Sequence, residues 1–179
     1  MNLILIDSSF YPHIYLIRGK LLIDQYKSDQ LNFNVQESIF NLLKKNNLNF
    51  SDVNEVVYSS GPGSYTGLRN VDIFANILTN FNIKISSFYH FNIPFCFGHK
   101  SGLWFCNAFK GEIFIHSWDQ DKFHQMRVKE EDLFSQIEGK SLYTGNTSSF
   151  SPTLREKLQN RNLKIVETQM LMEENLTDF

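Results

Sequence analysis

The stretch VNEVVYSSGPGSYTGLRNVDIFANIL, Val53 to Leu78, constrains the fold more than any other. An apolar run meets a turn with two glycines and a proline, and apolar residues at helical spacing follow. Strand, tight turn and helix in that order set helix N-terminal amides where an anion can meet them. Gly61 and Gly63 can adopt positive φ and admit another backbone closely. Ser64 or Thr66 can cap the helix, whose first turn carries partial positive charge. The named nucleotide motifs nevertheless do not fit. The third glycine, Gly67, falls one residue late for G-x-G-x-x-G, and the next strand, IKISSFYHF, ends without the expected acid. A GK[ST] Walker ending is absent, and Ser64 directly follows Gly63, so no nucleophile elbow is present. A structural turn and an anion site both remain open.

Around this unit the pattern alternates. NLILID reads as a strand buried on both faces, and HIYLIRGKLLIDQYKS as two strands turning at Arg18-Gly19-Lys20. Val35, Ile39, Leu42 and Leu43 take helical spacing behind Asn34, an N-cap residue. The plan restarts near Pro94. A hairpin turns at Lys110-Gly111, KFHQMRVK adds a third strand, and EEDLFSQIE is helical. SLYTGN is a strand, SPTLREKLQN a helix capped by Ser151 with Pro152 at its first position, and LKIVET a closing strand. The tail QMLMEENLTDF gives no assignment. Meander, helix, strand, helix, strand occurs twice, a crude sign of internal duplication.

The chain has 179 residues with 42% hydrophobic side chains, enough for a real core in one domain or two lobes. Its formal net charge of -2, without a basic stripe, argues against gripping a polyanion alone. Cys96 and Cys106 form no disulfide framework or CxxC motif. The apolar start stops at Asp7 and no later run reaches spanning length, so neither a signal peptide nor a membrane span is expected. The reading is a cytoplasmic protein. No HxxxH exists, and His13, His90, His99, His116 and His124 are scattered, so no metal site is expected. Ser64 lacks a nominated base as a nucleophile. Lys44-Lys45 and Glu130-Glu131-Asp132 read as solvated faces, and Trp104 and Phe105 as hairpin core.

GPGSYTGLR after a strand, LILIDSS at the N-terminus, NAFKGEIFI downstream and the later YTGN together resemble the bacterial TsaB (YeaZ) family. The resemblance implies an α/β, actin-like ATPase (ribonuclease H-like) fold of two lobes, residues 1–93 with the glycine loop and a short second lobe, 94–179. It implies a non-catalytic scaffold subunit in the formation of N6-threonylcarbamoyladenosine next to the tRNA anticodon. Its partners would be a TsaD-like catalytic subunit, forming a heterodimer, and a TsaE-like ATPase. It would meet tRNA only through the complex, and it could be a homodimer when alone. No cofactor would bind tightly, with ATP or ADP expected only within a complex. Asn107 and Phe109 stand where the family favours Asp and Arg, and YKSDQLNF lacks the family's histidine. Asp7 falls where actin-like enzymes place a carboxylate near phosphate. The anion or nucleotide candidates are therefore Asp7, Ser8, Ser9, Gly61, Gly63, Ser64 and Thr66. A small actin-fold ATPase or phosphotransferase using Asp7 and this loop is the alternative; a protease reading lacks a nucleophile–base pair or zinc motif.

The helix after the loop carries too much apolar surface for one sheet. At about 100° per residue its apolar side chains span an arc of roughly 220°, where packing on a sheet needs little over 100°. A partner-binding surface is expected from Leu68, Val71, Ile73, Phe74, Ile77, Leu78 and Phe81, with Phe74, Ile77 and Phe81 as anchors.

Overall fold

The computed structural model describes residues 1–28 and 33–176. It forms two compact units, Met1–Tyr89 with the chain end from Asn175, and His90–Glu174. The last three residues of the unassigned tail lie outside the described residues.

The first unit is a five-stranded sheet built as its apolar runs dictate. β1 (Asn2–Asp7) pairs antiparallel with β2 (His13–Arg18), which pairs antiparallel with β3 (Leu21–Lys27). Gly19 turns this second hairpin at φ +62°, a left-handed conformation open to glycine without strain. β4 (Glu55–Ser59) lies parallel to β1, and β5 (Lys84–Phe88) parallel to β4. Parallel neighbours require a crossover, and the helices supply it. α1 (Val35–Lys45) starts at Asn34, whose side chain accepts the Glu37 amide at 3.2 Å. It buries Val35, Ile39, Leu42 and Leu43, the expected stripe. α2 (Tyr65–Leu78) follows the glycine loop. Ile4, Ile6, Ile14 and Leu16 of the sheet pack against these two helices.

The second unit repeats the design. β6 (Ser101–Asn107), β7 (Glu112–Asp119) and β8 (Lys122–Lys129) form the antiparallel meander. β9 (Leu142–Thr144) runs parallel to β6, and β10 (Ile165–Glu167) parallel to β9. The strand orders are β3-β2-β1-β4-β5 and β8-β7-β6-β9-β10, so the duplication suspected from the sequence is present as topology. α4 (Leu133–Ile137) and α5 (Pro152–Asn160) share a core with Leu103, Phe105, Ile113 and Ile115. Ser151 caps α5, accepting the Leu154 amide at 3.1 Å. α3 (Ile93–Cys96) precedes the meander, and α6 (Thr168–Glu174) gives the unassigned tail a helical turn. Trp104 is fully buried, with its indole N–H donating to Thr168 Oγ1 at 3.3 Å. No helix among the described residues is long and apolar enough to cross a membrane.

Candidate functional site: the glycine loop and the outer face of α2

The glycine loop closes on the chain itself. A Cβ on Gly63 would stand 2.2 Å from the Ser9 carbonyl oxygen, and one on Gly67 would stand 2.4 Å from that of Ser8. Nothing larger than hydrogen fits at either place. The backbone admitted by these glycines is the turn after β1. Ser64 N–H donates to Ser9 O at 2.6 Å, and the Ser64 hydroxyl caps α2 by accepting the Gly67 amide at 3.3 Å. Asp7 Oδ1 accepts the Ser9 amide at 3.0 Å, and Ser9 Oγ is hydrogen-bonded to Ser59 Oγ. Asp7, Ser8 and Ser9 are all buried.

Asp7, Ser8, Ser9, Gly61, Gly63 and Ser64 are thus brought together, and Asp7, Ser9 and Ser64 hydrogen-bond within the group. Two expectations change. Gly61 takes positive φ, +98°, whereas Gly63 does not and is small because Ser9 lies against it. Thr66 is exposed within the first turn of α2, and Ser64 alone is its cap. The turn after β1 packs on the loop at Gly63 and Gly67, as the structural-turn alternative requires. Ser8 Oγ is itself buried without a hydrogen-bond partner among the described residues.

Downstream, α2 shows two apolar faces. Val71, Phe74, Ala75 and Leu78 are buried, with Phe74 edge-on to Phe50 at 6.2 Å between ring centroids. Val71, Phe74 and Leu78 therefore leave the expected partner surface, because they fill the core between helix and sheet. Leu68 is half-buried beside Gly61. Ile73, Ile77 and Phe81 stay exposed at 50%, 43% and 65%. Tyr65 and Arg69 extend the same row, four residues apart at each step, and the sequence reading missed both. The Arg69 guanidinium donates to Tyr65 OH at 3.3 Å. Tyr58 OH anchors the helix from below by donating to Asp72 Oδ1 at 3.0 Å. Beside the row, Phe33, Val35, Asn70, Ile73 and Phe74 line a recess of about 310 Å³ between the start of α1 and α2. Tyrosine and arginine are among the side chains that most often carry binding energy at protein interfaces.

The remaining candidates have structural surroundings. His90 is buried, its Nδ1 hydrogen-bonded to Thr168 Oγ1 at 3.1 Å. His116 stacks on Phe91 at 4.4 Å, and burial pushes its pKa below the usual imidazole range. Cys106 is buried, which raises its thiol pKa to about 12, while Cys96 is exposed. Among the described residues no three His, Cys, Asp or Glu side chains cluster as a metal site would require. Asn107 donates from Nδ2 to the Ser149 carbonyl at 2.6 Å, and Phe109 is exposed at the hairpin tip. Lys45 is no idle solvated charge: it pairs with Asp24 at 2.8 Å.

Comparison with known proteins adds three findings. A family model described as TsaD, tRNA N6-adenosine threonylcarbamoyltransferase, matches residues 26–85, which hold α1, the glycine loop and α2. No curated protein matches the sequence. Among solved structures, a Pseudomonas aeruginosa protein described as uncharacterized with similarity to peptidase YEAZ superimposes with TM-score 0.60 at 12% identity, over 80% of this chain and 74% of that one. YeaZ from Pseudomonas aeruginosa gives 0.59 at 11% identity over the same shares. The ethanolamine utilization protein EutJ from Carboxydothermus hydrogenoformans gives 0.52 at 7% identity, over 98% and 87%. At such identities the likeness is one of fold, and the fold is the actin-like, ribonuclease H-like one expected from the sequence.

Proposed function

We propose that this chain is a TsaB (YeaZ)-type protein, a non-catalytic scaffold that holds a TsaD-like catalytic subunit through the outer face of α2. The observation that carries the reading is the exposed row of Ile73 and Ile77 on α2, a helix whose inner face is already filled, continued by Phe81 in the 3-10 turn after it. Apolar area of this kind on a surface helix marks a place where another protein packs. The resemblance read from GPGSYTGLR and the YeaZ-like fold support the family. The TsaD-family match over residues 26–85 fits either subunit, since the resemblance implies that the two share a fold. The chain has no HxxxH, however, while the resemblance implies a catalytic subunit that holds its metal with two histidines on one helix. That favours the accessory role.

The rival reading, an ATPase or phosphotransferase built on Asp7 and the loop, loses support from the packing. A γ-phosphate needs open backbone amides, and here Ser64 N–H is bonded to Ser9 O, Gly61 N–H to Ser59 Oγ and Gly67 N–H to Ser64 Oγ. Nucleotide in this reading meets the assembled complex, with a TsaE-like ATPase, and tRNA meets the catalytic subunit. The test is reconstitution from the TsaD-like subunit of the same cell, its ATPase partner, threonylcarbamoyl donor and tRNA. Threonylcarbamoyladenosine should form only when this chain is added. Formation at an unchanged rate without it, or ATP turnover by the isolated chain, would overturn the proposal.

A further inference from the structure

The second sheet carries a recess at the end of its meander, lined by polar side chains of the face that elsewhere makes its core and also by Trp118 and Phe123. Cross-strand register puts Phe105, Ile115 and Met126 in contact along one row, and these are core side chains. The next row is Leu103, Ser117 and His124, and the last is Ser101, Asp119 and Lys122. Directly opposed residues project to the same face, so this face turns from apolar to fully polar over two rows. The turn after α4 forms a wall: Gly139 takes φ +69°, Lys140 N–H donates to Ile137 O at 3.2 Å, and Ser141 O accepts the Leu103 amide at 2.9 Å. The recess it borders is open to solvent and measures about 520 Å³, a size found among small-molecule pockets.

Its charged groups are unengaged. Lys45, Lys84, Lys129 and Lys157 each have an acid partner. The side chains of Lys122 and Lys140, which both line the recess, have no ion pair or hydrogen bond among the described residues, even with Asp119 across the strand from Lys122. Two ammonium groups favour a dianion. Asp119 disfavours a bare one, yet with the hydroxyls of Ser101, Ser117 and Ser141 it accepts and donates hydrogen bonds to a hydroxylated body.

We propose that this recess is a binding site for a small hydroxylated phosphate monoester, the phosphate held between Lys122 and Lys140 and the hydroxyls by Asp119 and the three serines. The site is independent of the role assigned to α2. Ribose 5-phosphate is the probe, followed through backbone amide shifts of the full chain at physiological salt. Expected are saturable shifts centred on Gly102, His124, Gly139 and Ser141, with affinity at least about tenfold above that of inorganic phosphate or ribose alone. Lys122→Met with Lys140→Met should weaken it at least about tenfold with melting temperature unchanged, because both side chains are exposed. Asp119→Asn should narrow the preference over inorganic phosphate. Shifts that never saturate, that spread over other lysines, that survive the double substitution or that inorganic phosphate reproduces equally would overturn the proposal.

Discussion

Gly63 shows how a residue's meaning depends on what lies beside it. Its φ is ordinary, yet a Cβ there would sit 2.2 Å from Ser9 O, and backbone cannot step aside as a long side chain can. Gly63→Ala should therefore cost at least about 2 kcal/mol in urea unfolding. Gly19→Ala, at φ +62° but with nothing within 4 Å of the new carbon, should cost about 1 kcal/mol. Equal losses would contradict the close approach. Ser8→Ala removes a buried hydroxyl that has no partner and should leave stability unchanged or raise it by up to about 1 kcal/mol. The register pair Glu55 and Lys84 gives a pH test. The Lys84 ammonium, bonded to Glu55 at 2.9 Å, holds that buried carboxyl below the usual carboxylate range, with Ser86 Oγ also donating to it. A depressed native pKa stabilises the fold above the unfolded carboxylate pKa, and the gain disappears as pH falls through the native value. With the ammonium largely in solvent the gain is only about 1 kcal/mol. Glu55→Gln should flatten the acid limb of the stability curve, and an unaltered limb would show that the pair does not act there.

At the scale of elements, α2 is the informative case. Its inner row Val71, Phe74 and Leu78 and outer row Ile73, Ile77 and Phe81 are chemically alike, so composition could announce a surplus of apolar surface but not which row faces the sheet. Packing breaks that tie, and two substitutions separate the rows. Phe74→Asp buries an unpaired charge and should unfold the first unit, a loss beyond about 3 kcal/mol. Ile77→Asp should leave the melting temperature nearly where it was. Folded Phe74→Asp protein would contradict the assigned faces. Strands were easier to read, because unbroken apolar runs such as NLILID and turns such as Arg18-Gly19-Lys20 are local signals. α3 and α6 were not legible: IPFC is a single turn, and Thr168 begins α6 without a capping side chain among the contacts described. The close packing of Ser8 and Ser9 on the glycine loop was equally hidden, because they lie far from Gly63 in the chain.

The whole molecule has two sheets of one topology, a net charge of -2 and an apolar row on the outside of α2. Such a charge releases few counterions from RNA, so the isolated chain should bind tRNA no tighter than about 100 μM at physiological salt. Tight, salt-resistant retardation in a gel would require direct recognition and contradict a scaffold. The central claim is that the outer row of α2 is the docking face for a TsaD-like subunit. Titration calorimetry of Ile77→Asp against that subunit, beside the parent chain, tests it most directly. The account predicts an intact fold and association weakened by about 2 kcal/mol or more, roughly 30-fold, because the new carboxylate must be desolvated against an apolar partner. A folded Ile77→Asp protein that binds as tightly as the parent would contradict it.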